Sequence, residues 1–457
     1  MANTNLEVVI RIGSHSEKEY VEKTGHRFDG LMIGANLVEV TPGASASLLI
    51  KMAGETKNTP YYFDPMTYAF GCYVDPITGL HRTDLDWIKS EQRVKGGKKG
   101  QTERLFKNSY AKLASALGAP FLTSISSGGR AVTPDNLDTK PKRRAVAKAV
   151  VAYQRERIRN VFREDEEYKE YADEVPEPAA VFAPYFYIEP SDEERWIAAN
   201  LDLTRASAEL NEPVELHTVV CAPMELVSDK KFMERMRMEL PDTGAKGVWL
   251  WFSRFDEHVA TTEELTSVRR LVGGLAERGL KVYNMHGGYY SLALSKFGMT
   301  GVAHGVGYGE QKDVVPIIGQ STPTVRYYVP TLHARFGVPN IERSFSSLGI
   351  TTSEEFWAKI CGCAVCKGIL QKGIEKFKDF GEMHYSTPQS KRQAQTPAAA
   401  KLCRFHFLLA RLRERDEVSR MSVVEIRDQL TSVRKMWKGT VVSGELPYLD
   451  RWLAALS

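Results

Sequence analysis

GVWLWFSRFDEHVATTEELTSVRRLVGGLAERGLKVYNMHGG (247–288) contains the unit from which the fold is read. The uninterrupted apolar run GVWLWFS (247–253) has the length and composition of a strand buried on both faces. TTEELTSVRRLVGGLAERG (261–279) follows, with Leu265, Val268, Leu271 and Leu275 at helical spacing. LKVYNM (280–285) is again strand-like. Strand, amphipathic helix, strand is the pattern of a parallel sheet with helical crossovers.

Similar strand-like runs lie on both sides: LMIGANLVEV (31–40), PYYFDP (60–65), VFAPYFYI (181–188), VELHTVVCA (214–222), TGVAHGV (300–306) and TVRYYVP (324–330). About eight units predict a closed TIM-type (β/α)8 barrel, and an open doubly wound sheet is the alternative. The expected divisions are N-terminal barrel strands in 1–84, a polar basic helical insertion over the mouth in 85–175, the rest of the barrel in 176–345, and a zinc-binding helical subdomain in 346–457. Residues 386–400, STPQSKRQAQTPAAA, read as a flexible loop.

The chain has 457 residues, of which 43% are hydrophobic, enough for one large barrel core. A net charge of +4 permits nucleic-acid binding without demanding it. No apolar run reaches the roughly 20 residues of a membrane span. The first residues show no basic stretch followed by an apolar one, so a cytoplasmic protein is expected. Of the six cysteines, Cys361, Cys363, Cys366 and Cys403 cluster late in the chain. Such clustering without an export signal points to metal ligation rather than disulfides.

Cys361-Gly-Cys363-Ala-Val-Cys366 is the most specific local signal. Three thiolates this close can share one tetrahedral zinc ion, with a fourth ligand from further along. His406 is favoured, because the helical stretch AAAKLCRFHFLLARLRER would hold its imidazole rigidly. His384, in the loop-like GEMHYST, and Cys403 are the alternatives; three reduced cysteines without metal is the plainer reading. A site with four protein ligands leaves no open position, so the expected role is structural.

A Cys-x-Cys-x-x-Cys motif followed by a helix-borne His at the end of a barrel resembles the tRNA-guanine transglycosylase superfamily. Six other segments resemble that family in the same order. Gly34-Ala35-Asn36 resembles the turn ending its first barrel strand. YYFDPMTYAF places Asp64 on its active-site aspartate. FLTSISSGGRAVTPDNL resembles a later hairpin through Phe121, Ser124, Thr133 and Pro134. WFSRFDEHVATTEE puts Asp256 on the aspartate that reads the guanine edge. His286-Gly287-Gly288 resembles its Gln-Gly-Gly, with His replacing Gln. HGVGYGE matches through Gly305, Val306, Gly309 and Glu310.

The family's nucleophilic aspartate, expected about 20 residues before the first zinc cysteine, has no counterpart. Glu342 in GVPNIERSF is the nearest carboxylate; if VPTLHAR (329–335) is aligned instead, Arg326 falls there. Together with the long Asp64–Asp256 spacing, this resembles the branch that acts on DNA, the 7-deazaguanine DNA transglycosylases of phages and genomic-island modification systems. The resemblance implies exchange of guanine in DNA for a 7-deazaguanine (preQ0-like) through a covalent sugar–enzyme intermediate. It also implies partner proteins of such a modification system, and host cytoplasm if the chain is phage-encoded. The alternatives are exchange in tRNA and a barrel that binds nucleic acid without catalysis.

Base exchange breaks an N-glycosidic bond and must keep the sugar reactive. One carboxylate can trap the anomeric carbon while another group protonates the departing base. Asp64, Asp256 and Glu342 are the catalytic candidates. An ionised carboxylate accepts two hydrogen bonds, which suits the N1–H and N2–H2 edge of guanine. His286, Gly287, Gly288, Gly305, Val306 and Tyr308 are expected to bind the base, the glycines by letting the backbone approach its flat face. Because the base must leave its stack, Tyr68, Phe70, Tyr289, Tyr290 and Tyr308 are aromatic candidates to hold it. Lys95, Lys98 and Lys99 are the candidate phosphate contacts. Plainer readings stand beside these: Asp64 before Pro65 as a turn residue, Asp256 as cap of the helix near 261, His286 as a satisfied core histidine, 305–309 as an ordinary turn, and the lysines as a solvated helix face.

Overall fold

The computed structural model describes residues 6–54, 58–71, 73–74, 81–82, 108–119, 121–126, 131–307, 310, 313–314, 325–385 and 393–457. Eight parallel strands close into a barrel: β1 (Glu7–Ile12), β2 (Gly30–Gly34), β3 (Tyr61–Asp64), β4 (Ala180–Phe182), β5 (Glu215–Pro223), β6 (Gly247–Ser253), β7 (Lys281–Asn284) and β8 (Met299–Gly305). Each strand pairs with its neighbours in sequence, and β1 closes the ring on β8 from Glu7↔Gly301 to Arg11↔Gly305. The expected TIM-like barrel is therefore present. The helix Thr262–Glu277 forms as its pattern predicts: Thr261 and Glu264 make a reciprocal cap, and Leu265, Val268, Leu271 and Leu275 are buried.

The membership of the barrel differs from the expectation. Its first strand is EVVIRI (7–12), whose internal Arg11 masks the apolar pattern. TVRYYVP (324–330) is not a barrel strand. Its Tyr327–Val329 pairs antiparallel with Ala334–Phe336 in a separate hairpin. A parallel partner needs a long crossover, and only residues 330–333 intervene here, so the chain must reverse. LMIGANLVEV is strand only to Gly34 and is the second barrel strand; Ala35–Val40 is helical. In VFAPYFYI the strand stops at Phe182, just before Pro184, which lacks an N–H for the ladder.

Part of the 85–175 segment is barrel wall. Lys140–Arg163 packs between the helices Pro42–Ala53 and Glu193–Ala208, where the β3–β4 crossover helix belongs. Its buried Gln154 accepts from Phe182 N at 2.7 Å and donates to Phe182 O at 2.8 Å, satisfying the end of β4. Lys95, Lys98 and Lys99 lie outside the described residues. Within the expected loop 386–400, Gln393–Gln395 pairs with Met383–Tyr385, and a long helix starts at Pro397 behind the Thr396 cap. Thr-Pro there is a helix-start signal.

The N-terminal half of the barrel interior is filled by aromatic rings. Trp249 stacks on Tyr283 at 4.3 Å, Tyr62 meets Trp249 edge-on at 5.3 Å, and Trp249 Nε1 donates to His217 Nδ1 at 3.0 Å. With the floor plugged, the open end is the C-terminal mouth, where barrel active sites are found.

Candidate active site and metal cluster

At the mouth, β3 ends on Asp64, level with Gly34 of β2. Asp64 is fully buried. Its Oδ1 accepts from Met66 N at 2.9 Å and Tyr185 Oη at 2.8 Å, and its Oδ2 accepts from Arg11 Nη2 at 3.1 Å. The Met66 bond is the turn expected of Asp before Pro, and it holds Met66 at φ +51°. The turn reading therefore holds for this residue, which also stands at the C-terminal end of its barrel strand. Arg11 and Tyr185 complete the group and were not anticipated. An arginine inside a buried strand was the available signal for the first.

A cavity of about 210 Å³ opens beside this group, lined by Arg11, Gly34, Asn36, Met66, His286 and Gly305, with Glu17 at its edge. Burial pushes the Glu17 carboxyl up, against its hydrogen bonds from Gly13 N and Ser14 N. His286 is nearly buried; its ring packs against Trp251 at 5.1 Å, which meets Tyr68 at 4.8 Å, which stacks on Tyr185 at 5.7 Å. His286 therefore lines the cavity while its ring packs on the core.

Several expected base contacts have other roles. A Cβ on Gly288 would lie 2.6 Å from Glu257 Oε2, and one on Gly287 would lie 2.9 Å from Val302 Cγ1. These glycines make room for the protein's own atoms. Glu257 is buried and accepts from Gly288 N, Tyr290 N and Ser291 N, closing the start of the next helix. Val306 is fully buried, Tyr289 stacks on His333, Tyr290 donates to Leu265 O, and Phe70 packs on Phe121. None of these four lines the cavity. Tyr308 and Gly309 lie outside the described residues.

Asp256 sits in the turn after β6, partly exposed at 24%. It does not cap the following helix, since Thr261 does. Its Oδ1 accepts from His258 N at 2.9 Å and lies 3.3 Å from His258 Nδ1. Burial opposes its charge, but His258 outweighs this and holds the carboxyl below the usual aspartate range. Neither Asp256 nor the buried Asp64 is among the residues lining the cavity, but Asp64 is bonded to Arg11, which is. Glu342 does not line it either. It is exposed on the helix Val338–Ser344, which packs on residues 374–381. An exposed helical face in that unit is a poor place for a nucleophile, because there water competes for the carboxylate.

Around the hairpin lies a buried charge network. Glu310 accepts from Arg335 Nη1 at 2.6 and 2.7 Å and from Arg411 Nη2 at 3.3 Å. Burial alone would raise its pKa, but the two guanidiniums hold it at about 2. Glu414 accepts from Tyr328 Oη and His333 Nδ1 and pairs with Arg411 at 3.0 Å.

The cysteine motif forms one cluster with His406. His406 Nδ1 lies 3.8, 3.4 and 3.4 Å from the Sγ atoms of Cys361, Cys363 and Cys366. A tetrahedral ion with ordinary zinc–sulfur and zinc–nitrogen bonds would set that separation at about 3.5 Å. The four ligand atoms all lie within 4.8 Å of one another. His406 Nε2 donates to Tyr328 O at 2.6 Å, which leaves the Nδ1 lone pair facing the sulfurs. Tyr327 stacks on the imidazole at 4.3 Å, and its Oη lies 3.2 Å from Cys366 Sγ. Hydrogen bonds from Cys361 and Cys366 pull the Cys363 thiol down to about 3. The alternatives for the fourth ligand fall away: His384 is exposed on a strand, and Cys403 donates to Phe380 O. The residues fit a metal ion. No protein-family model matches the chain, and no curated protein is significantly similar to it.

Proposed function

We propose that the chain is a pentosyltransferase that exchanges guanine in DNA for a 7-deazaguanine of the preQ0 kind. The observation that carries this is convergence at the mouth. The Gly34–Asn36 turn, His286 and Gly305 come from three separate segments that resemble one transglycosylase family and border one cavity, and Asp64, from a fourth, lies level with Gly34 and is bonded to the cavity-lining Arg11. In the proposed reaction an Asp64 oxygen bonds to the sugar C1′ as the C1′–N9 bond breaks. The bonding pair leaves with guanine, which takes up a proton. The incoming base then gives up its N9 proton and displaces Asp64 from C1′, restoring the carboxylate. Arg11 and Tyr185 hold the aspartate oxygens in place, and Asp256 accepts from the N–H edge of the base. Cys361, Cys363, Cys366 and His406 would hold a zinc ion that contributes folding energy and, with four protein ligands, no open position. The expected setting is the cytoplasm, with proteins of a modification system as partners. No helix among the described residues is long and apolar enough to cross a membrane.

The test is incubation with guanine-containing DNA or tRNA and labelled guanine or 7-deazaguanine. Label in DNA supports the reading, label in tRNA alone reassigns the substrate, and binding without exchange makes this a non-catalytic barrel. Asp64→Ala and Asp256→Ala should each abolish incorporation while keeping the metal. Glu342→Gln should keep full activity, and a trapped enzyme–DNA adduct should map to Asp64. An active Asp64→Ala variant would overturn the site.

A further inference from the structure

His258 lies between Asp256 and the hairpin. Its Nε2 is 3.0 Å from the main-chain oxygen of His333, and its Nδ1 is 3.3 Å from Asp256 Oδ1. A carbonyl oxygen only accepts, so Nε2 must carry a proton. Asp256 Oδ1 already accepts the His258 main-chain N–H, so it too faces the ring as an acceptor. A neutral imidazole has one N–H for two acceptors; only the cation satisfies both. The rings of Tyr448 and Trp452, on the C-terminal helix Pro447–Ala455, pack around it at 4.8 and 5.2 Å. Arg451 of that helix donates to the His258 and Ala260 carbonyls, and Trp452 Nε1 donates to Glu257 O at 2.8 Å. The turn is thereby fixed from outside the barrel.

We propose that His258 is a positioning residue, held as a doubly protonated imidazolium, that keeps Asp256 as a ready-made anionic acceptor for a planar ligand edge bearing two N–H donors. Among the described residues Asp256 Oδ2 has no protein donor, so it is left for such a ligand. That the edge belongs to a guanine-like base rests on the function proposed above; the charge state of His258 does not. Burial favours the neutral ring, but Asp256, the His333 carbonyl and Glu257 outweigh it and raise the pKa above 6.5. The titratable and charged groups around the pair are Asp256 and Glu257 on the same turn, Glu310 near Asp256, His333 on the hairpin, and Tyr448 and Arg451 on the C-terminal helix.

The experiment is nitrogen NMR of the full chain labelled with 15N-histidine, titrated from pH 6 to 9, with His258 assigned by the signal lost in His258→Gln. Two protonated ring nitrogens at the acid end of the titration and a midpoint above 6.5 are expected. In parallel, the KM for labelled guanine should rise with pH through that midpoint and level off, with kcat less affected, and His258→Gln should raise KM and remove this dependence. A His258 that titrates at or below 6.5 in a protein that still exchanges base overturns the inference and leaves the proposed function standing. An imidazolium in a protein that exchanges nothing supports the inference and sinks that function. Should His258→Gln fail to fold, the wild-type titration decides, with the resonance assigned through its contact to Trp452.

Discussion

Replacing Arg11 with Met tests whether the Asp64 group is a coupled unit. Asp64 is fully buried and Arg11 is 13% exposed, so little water is available to replace the guanidinium. Arg11 contributes one charge-assisted hydrogen bond at 3.1 Å, an interaction of about 1.5–3 kcal/mol. Removing one partner of a buried pair costs about 3–5 kcal/mol, because the remaining charge is left uncompensated. Tyr185 Oη and Met66 N still reach the other oxygen, so the lower end applies, about 3 kcal/mol. Asp64→Asn keeps an acceptor for those two donors and removes the charge, and in the Arg11→Met/Asp64→Asn double variant no buried charge stands unpaired. Urea melts of the four proteins form a double-mutant cycle. A coupling of about 2–3 kcal/mol is expected, with Arg11→Met the least stable of the set. If the two single costs add to within about 0.5 kcal/mol, the pair is not coupled and the reasoning fails. Base exchange should fall in Arg11→Met, since the carboxylate loses a donor that orients it, and should be abolished in Asp64→Asn, which removes the nucleophile.

Metal analysis should find one zinc per chain, and Cys363→Ser should lose it and lower the Tm markedly, since a structural site's binding energy is folding energy; native protein without metal refutes the cluster. Glu310 has its pKa lowered to about 2 in the folded chain, so its stabilisation is fully present above the ordinary value of 4.5 and is lost as pH falls from 4.5 towards 2. Acid titration followed by circular dichroism should show this loss, a few kcal/mol at most, and Glu310→Gln should flatten that limb; an unchanged limb counts against the network. Replacing Lys95, Lys98 and Lys99 together with Ala should weaken DNA binding evenly across sequences and flatten its salt dependence, and an unchanged slope would return them to a solvated surface.

What the sequence determined by itself is what short spacing encodes. The run 247–253, the helical period of Leu265, Val268, Leu271 and Leu275, and the Cys361–Cys366 motif each lie within one or two turns of chain, and each has its expected structure. Asp64 before Pro65 was legible for the same reason. Closure of the barrel decided the rest. Whether EVVIRI or TVRYYVP joins the ring depends on which can lie parallel beside β8, and a four-residue return at 330–333 settles that against the second. Arg11 and Tyr185 stand 53 and 121 residues from Asp64 in sequence and meet it only when the strands close. Gly287 and Gly288 read as room for a ligand because local sequence shows the missing side chain but not what fills its place. Val302 and Glu257 fill it, and they come from the middle of β8 and the turn after β6. His406 and His384 were separable only in part by helical pattern. The carbonyl of Tyr328, which orients the His406 ring, reaches it from a hairpin 78 residues away. Period and ligand spacing are properties of a segment, while a hydrogen-bond partner across the barrel is a property of the closed fold.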